Sequence, residues 1–439
     1  MKKFVSMLTF GCQMNRADSE RMIGEMQLDG YEFTEDLSKS DLILVNTCCV
    51  RESAEEKIYG KLGELKKFKT NKPRLIIGVT GCMAQKQGSK IFEHARHVDF
   101  VLGTGKISKL RSIVQNLESN RKKLVDVDLN EFIDEKCRLS IARENNLSAW
   151  IPIMYGCDNF CTYCIVPYVR GREHSRKPAE ILDEIKTAVE SGIKEITLLG
   201  QNVNSYGKNL SEKYSFADLL TAVDEIPNLT RIRFMTSHPK DLNDDVINSI
   251  SHGKNICEHI HLPIQHGSNR ILKRMNRGYT AEKYLELVEN IRREIPNVSL
   301  TTDLIVGFPS ETDEDFEQTL ELLEKVRFDA AYTFIYSVRS GTPAEKFSDQ
   351  VPDELKHARL TKLMSVQSKI SNEINSVMKD QTVEILVEGA SKTDSAVWTG
   401  RTRTNKIVLF EHGHEKIGDF VHVKITQPQT WLLKGTLND

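Results

Sequence analysis

Short runs that are apolar on both faces alternate with polar stretches of helical period along the first hundred residues. The runs are KKFVSMLTF, SDLILVNT, PRLIIGVTG and VDFVLG, separated by segments such as ADSERMIGEMQLDG and VRESAEEKIYGKLGELKKF. Strands buried on both faces belong to parallel sheets covered by crossover helices, so residues 1–118 are predicted to form a parallel α/β domain. The polar stretch SNRKKLVDVDLNEFIDEKCRLSIARENNLS follows and reads as a linker over 119–142. From 143 to 374 the rhythm returns, with strands WIPIMYGC, EITLLGQNV, RIRFMTS, HIHLPIQ, SLTTDLIVGF and AAYTFIYS. Helical patterns fall between them at about 178–191, 214–225, 241–252, 269–294 and 312–326. Six parallel strands with crossover helices predict a (β/α)6 partial barrel. Residues 376–439 lose the helical period and carry alternating strands with turn signals, which predicts a small terminal β-barrel.

This organisation gives the unusual residues their meaning. Cys12, Cys48 and Cys82 each stand where an N-terminal strand ends, in TFGC, VNTC and VTGC. Parallel sheets gather functional groups at the carboxyl ends of their strands, so these cysteines can converge on a metal. In the barrel the polar residues Gln201, Asn202, Ser237, His238, Gln265, Asp303 and Tyr336 stand at or near strand ends, where barrel active sites form. YGCDNFCTYC places Cys157, Cys161 and Cys164 in a C-x3-C-x2-C arrangement just after the first barrel strand. Three thiolates so spaced can hold three irons of a cubane cluster and leave the fourth open; a zinc site is the competing reading. Cys137 has no partner spacing and reads as a bystander.

Composition changes the picture little. The 439 residues are 39% hydrophobic and 28% charged with a net charge of −2, and no apolar run approaches the span of a bilayer. The amino terminus turns polar too early for a signal peptide, so the expected location is the cytoplasm. Nine cysteines, an odd number in a long chain, argue for metal ligands or thiols and against a disulfide framework. In the terminal β-barrel only Arg401, Arg403 and Lys406 form a local basic run, which makes them the candidates for an RNA backbone.

C-x3-C-x2-C after the first strand of a barrel is the motif of the radical S-adenosylmethionine enzymes. The motifs TFGCQMNRADSE, NTCCVRESAEEK, GVTGCMAQ, YGCDNFCTYCIVPYVRGREHSR, LLGQNVNSYG, HLPIQHGSNRILKRMNRGYT, TTDLIVGFPSET and YSVRSGTPA run in that order. Together they resemble the methylthiotransferase family, and the C-terminal part resembles its TRAM domain, an RNA-binding β-barrel. The resemblance covers essentially the whole chain. It implies two [4Fe-4S] clusters, a radical-generating one on Cys157, Cys161 and Cys164 and an auxiliary one on Cys12, Cys48 and Cys82. It implies S-adenosylmethionine as both radical source and methyl donor, with Tyr163 near the adenine and Gln201, Asn202 and Ser237 near the methionine part. Arg170, Arg172, Arg233 and Arg339 are further candidates for a carboxylate or RNA phosphate.

The family pattern places its ligand at the first cysteine of VNTCCVRES, hence Cys48. Neighbours in an extended segment point to opposite sides, so Cys49 is expected to face away from Cys12 and Cys82. Within the family the chain looks most like enzymes that place methylthio on C2 of N6-isopentenyladenosine at position 37 of tRNA. Relatives acting on N6-threonylcarbamoyladenosine, or on an aspartate of a ribosomal protein, differ where this chain has Val50, Arg51 and Glu52. The implied partners are a tRNA anticodon loop, an electron donor such as flavodoxin or ferredoxin, and a donor that restores the auxiliary cluster's sulfur. The chain is expected to be a monomer with no membrane attachment. Readings of another class are a non-catalytic iron–sulfur RNA-binding protein and a zinc-stabilised tRNA-binding module.

Overall fold

A computed structural model describes residues 2–49, 52–129, 141–143 and 146–438. Cys137 and most of the expected linker, along with Val50 and Arg51, lie outside the described residues. The chain forms two compact units: Met1–Asn145 with Trp150–Asp158 and Cys164–His174, and Asn146–Ala149 with Asn159–Tyr163 and Ser175–Asp439.

The first unit runs β1 (Lys3–Thr9), α1 (Gln13–Leu28), β2 (Tyr31–Phe33), β3 (Leu42–Thr47), α2 (Glu52–Asn71), β4 (Ile76–Thr80), α3 (Gly81–Gln87), α4 (Ile91–His94), β5 (Phe100–Leu102), α5 (Leu110–Ser119) and β6 (Leu124–Asp126). Its sheet has the order β2-β1-β3-β4-β5-β6, and every pairing in it is parallel. β3 and β4 are buried at every position, as strands covered on both faces must be. The sixth strand, β6, corrects the sequence reading, for it lies inside the segment expected to be a linker.

Further along come β7 (Ser148–Pro152), β8 (Met154–Tyr155), α6 (Val166–Arg170), β9 (His174–Ser175), α7 (Pro178–Glu190), β10 (Glu195–Leu199), α8 (Phe216–Asp224), β11 (Arg231–Phe234), α9 (Asp244–His252) and β12 (His259–His261). The barrel ends with α10 (Asn269–Arg274), α11 (Ala281–Glu294), β13 (Ser299–Val306), α12 (Asp313–Val326), β14 (Ala330–Ile335) and α13 (Asp353–Ser376). Its strands form two three-stranded sheets, β11-β10-β7 and β12-β13-β14, in which the β10–β11, β12–β13 and β13–β14 pairings are parallel, with an isolated bridge between Ile232 and Ile256. That is the predicted partial barrel, divided in the middle. Capping boxes at Ser215/Asp218 and Thr312/Asp315 start α8 and α12 by satisfying the helices' first free N–H groups.

One helix expected over 269–294 is two. Asn276 (φ 59°) and Gly278 (φ 73°) take left-handed backbone between α10 and α11, and this break becomes important at the site.

The chain closes with β15 (Thr382–Ala390), β16 (Val397–Arg401), β17 (Ile407–Glu411), β18 (Phe420–Pro428) and β19 (Leu433–Leu437) in a closed barrel of order β15-β16-β17-β19-β18. Ile385, Val387, Val408, Phe410, Val423, Ile425 and Leu433 fill it.

Candidate functional site

In the first unit the strand ends are drawn together by polar bonds. Asn15 and Asn46 are fully buried; Asn15 Nδ2 donates to Asn46 Oδ1 (3.0 Å) and to the Thr47 carbonyl (3.1 Å). Thr47 Oγ1 receives the Ala84 amide at 3.3 Å. Glycine is required where the loops meet. Gly11 (φ 132°) would bring a Cβ to 2.9 Å from Cys48 Cβ, and Gly81 (φ 89°) would bring one to 2.4 Å from the Thr47 carbonyl.

Within this frame Cys12 is exposed at the start of α1, Cys48 is buried after β3, and Cys82 is buried in the first turn of α3. The structure corrects one expectation: Cys49 does not turn away from Cys82, and the two thiols hydrogen-bond. That bond, with burial, pushes the Cys49 thiol up. The same bond, aided by the Arg170 guanidinium, holds Cys82 down to about 6 despite its burial. Arg170, at the end of α6, is itself buried and bonds Asp18 at 3.0 Å. Arg172 makes an exposed pair with Asp158. Among the described residues no three Cys, His, Asp or Glu side chains already stand at metal-holding distance.

The three-cysteine loop connects β8 and β9, which pair in a two-stranded sheet. Cys157 and Cys161 are buried and Cys164 is half-buried. In the second unit the segment Asn159–Tyr163 is held by the break between α10 and α11. The Thr162 amide donates to the Met275 carbonyl (3.0 Å) and Thr162 Oγ1 to that of Arg274 (3.0 Å), while Asn276 Nδ2 reaches the carbonyls of Asn159 (3.2 Å) and Phe160 (3.1 Å). From the same break Arg277 turns inward and places Nη1 3.3 Å from Cys161 Sγ and 3.5 Å from the Tyr163 hydroxyl. Tyr163 packs against the cluster of Ile305, Phe308 and Tyr336. Arg277 was missed in the sequence; the signal that marks it is Gly278, which interrupts the helical pattern in KRMNRGYT.

The strand ends of the same unit gather polar atoms. Gln201 Oε1, Asn202 Oδ1, Asn204 Nδ2, Ser237 Oγ, His238 Nε2 and Tyr336 Oη are all buried without a hydrogen-bond partner. Asn202 is oriented by Nδ2 donating to Asp241 at 2.7 Å, and the His238 amide donates to Asn204 Oδ1 at 3.0 Å. Buried polar atoms without partners are costly, and a set of them at barrel strand ends fits a polar ligand. Thr236 and Gln265, both with positive φ, hold strained backbone beside it. Burial, assisted by the charges of Arg277, Lys240 and Lys208, pushes His238 down to about 2, so it stays neutral. His266, fully buried, hydrogen-bonds Thr319 at 3.2 Å and serves the core.

The expected RNA-binding residues have other duties. Arg401 pairs with Glu388 at 2.8 Å, Arg403 with Glu258 at 2.6 Å, and Lys406 with Asp329 at 2.6 Å. Arg403 also donates to the Ile256 carbonyl at 2.6 Å. Arg233, bound to Glu195 at 2.8 Å, donates to the carbonyls of Thr402 (2.8 Å) and Arg403 (2.9 Å). The basic run is therefore the turn by which the terminal barrel is fastened to the strands of the larger one. The reason is electrostatic, since its cations are already matched by carboxylates.

The fold and these features define a radical S-adenosylmethionine enzyme. Residues 151–323 match the Radical SAM superfamily, residues 4–103 the "Uncharacterized protein family UPF0004", and residues 376–437 the TRAM domain. The chain is 51% identical over 441 aligned residues to a tRNA-2-methylthio-N(6)-dimethylallyladenosine synthase of Acetivibrio thermocellus, covering 99% of this chain and 91% of that one. It is 50% identical to the protein of the same name from Carboxydothermus hydrogenoformans, covering 99% of each chain. Among solved structures, the radical S-adenosylmethionine methyltransferase TsrM of Kitasatospora setae superposes with a TM-score of 0.59 at 13% identity, over 78% of this chain and 77% of that one. The chain belongs to the methylthiotransferase family of radical S-adenosylmethionine enzymes.

Proposed function

We propose that the protein transfers a methylthio group to C2 of N6-isopentenyladenosine at position 37 of tRNA, with two [4Fe-4S] clusters and S-adenosylmethionine as its cofactors. The observation that carries the reading is identity of about half over nearly the full length with synthases of that name. The residues present fit the cofactors: two sets of three cysteines, and six unpartnered buried polar atoms at the strand ends. Cys157, Cys161 and Cys164 would hold the radical-generating cluster and Cys12, Cys48 and Cys82 the auxiliary one. When bound, these groups supply a 5′-deoxyadenosyl radical able to take hydrogen from an aromatic C–H, and the sulfur and methyl that replace it.

The chain's own residues bind, orient and shield. Gln201, Asn202 and Ser237 offer acceptors and a hydroxyl to the polar part of S-adenosylmethionine, with Asn202 fixed by Asp241. Tyr163 and the apolar cluster around Ile305 and Phe308 supply a dry wall for the adenine. The target base must leave its stack to be reached, which costs least in a single-stranded anticodon loop. A one-electron donor such as flavodoxin or ferredoxin and a separate sulfur donor complete the cycle. The protein works as a cytoplasmic monomer; no helix of the described residues is long and apolar enough to cross a membrane.

Deleting the gene and profiling tRNA nucleosides by mass spectrometry tests the assignment. Loss of 2-methylthio-N6-isopentenyladenosine with accumulation of the unthiolated nucleoside is expected. Loss of the methylthio-threonylcarbamoyl nucleoside instead would overturn the substrate.

A further inference from the structure

Arg277 is buried with 5% of its surface exposed, and its donors are spent in an unusual way. Nε donates to the Tyr279 hydroxyl at 2.8 Å, Nη2 to the Pro263 carbonyl at 2.9 Å, and Nη1 faces Cys161 Sγ at 3.3 Å. None of these partners is a carboxylate. Burial pushes the Tyr279 phenol up to about 12, so it stays neutral. A guanidinium out of water needs an anion, and the one partner that becomes an anion when it ligates metal is the Cys161 sulfur.

We infer that Arg277 faces the cluster held by Cys157, Cys161 and Cys164 as a fixed, uncompensated cation that raises its reduction potential and orients the Cys161 ligand. The inference rests on the proposed assignment of those cysteines. Taking up one electron makes a thiolate-bound cluster more negative, so an adjacent fixed positive charge favours the reduced form. The effect is large only where water cannot screen it, and the site is buried. Arginine suits the task because a planar fork reaches sulfur, phenol and carbonyl at once, whereas a lysine would keep the charge but lose the fixed geometry. Arg277 is thus a positioning residue whose effect is on electron entry.

The test uses the full chain with Cys12, Cys48 and Cys82 replaced by Ala, reconstituted anaerobically and titrated with dithionite while the reduced cluster is followed by electron paramagnetic resonance. This parent should hold about four irons. Arg277→Gln should keep them and shift the reduction equilibrium at least tenfold toward the oxidised form, a midpoint lower by about 59 mV for one electron. Arg277→Lys should shift it less than half as far. An Arg277→Gln protein with its iron and an unchanged midpoint overturns the inference. So does loss of iron from both variants with an unaltered circular dichroism spectrum, which would make Arg277 a loop clamp. A parent without iron sinks the cysteine assignment itself, and the inference with it.

Discussion

Each unit buries an arginine beside one of the cysteines expected to ligate a cluster, Arg170 beside Cys82 and Arg277 beside Cys161, and the two are treated in opposite ways. Arg170 is answered by Asp18 at 3.0 Å, so what reaches Cys82 is the field of an ion pair. Burial opposes its charge, yet Cys82, Asp18 and Cys12 outweigh that and keep it protonated. Arg277 has no carboxylate among its partners, and its charge falls on Cys161 undiminished. The same residue type therefore does two jobs. The first arginine ties a helix end to the sheet domain and is balanced locally; the second leaves a net positive charge at the cysteine loop. Electrostatics matched to chemistry would look like this if electrons enter at the loop and sulfur is held at the strand ends.

The largest effects should separate the two cysteine sets. Cys161→Ala should abolish 5′-deoxyadenosine formation, whereas Cys48→Ala should keep that cleavage and lose methylthiolation; loss of cleavage in both would erase the division of labour. Within the first set the thiol bond between Cys49 and Cys82 makes the choice of ligand a real test. Cys49→Ser should keep about eight irons per chain and Cys48→Ala about four. The reverse counts would make Cys49 the ligand.

The arginines come next. Arg170→Met leaves Asp18 buried and alone and should cost the first unit about 3–5 kcal/mol in denaturant unfolding, most of it recovered when Asp18 is also made apolar. For the terminal barrel, Arg403→Ala should cost about 1.5–3 kcal/mol, the range for hydrogen bonds to charged groups, and leave the salt dependence of tRNA binding unchanged. A drop of about one in that slope would restore Arg403 as a phosphate contact.

These contrasts also show what was legible beforehand. Apolar runs located β1, β3, β4 and β5 and all six barrel strands; the pattern is plainest in β3, β4, β5, β10, β11 and β12, which are buried at every position, while β1 and β14 are only partly covered and showed through their apolar and aromatic content. β6 was invisible for the opposite reason: Leu124–Asp126 is a half-exposed edge strand of three residues in a polar stretch. α13 hid because it docks through polar groups, with Gln367 Nε2 donating to the Phe328 carbonyl (2.8 Å) and Ser371 Oγ to that of Asp329 (2.8 Å), so no apolar stripe announces it. The cysteine sets were readable from spacing and strand ends. The partners of Arg401, Arg403 and Lys406 were not, since Glu258 and Asp329 lie far away in the chain and only folding brings them near. Arg277 was concealed by an apparently continuous helix whose interruption is the functional feature.

The smallest effect links the two halves of the comparison through pH. His238 is held near 2 in the folded chain by burial first and by Arg277 next, against about 6.5 when unfolded. Between these values the unfolded chain binds the extra proton, so stability rises with pH through the window, is complete above about 6.5 and is lost as pH falls. The slope from this one group is at most about 1.4 kcal/mol per pH unit. Urea unfolding at pH 7, 6 and 5 should show it, and His238→Asn should flatten it. Arg277→Gln removes one of the charges that hold the ring down, so it should move the acid end of this window, where the folded imidazole takes its proton, to higher pH and leave the slope between pH 5 and 7 in place. If unfolding followed down to about pH 3 shows the window of Arg277→Gln ending where that of the unsubstituted chain does, the guanidinium's field is screened within the barrel, and the contrast between a balanced and an unbalanced arginine loses its physical basis.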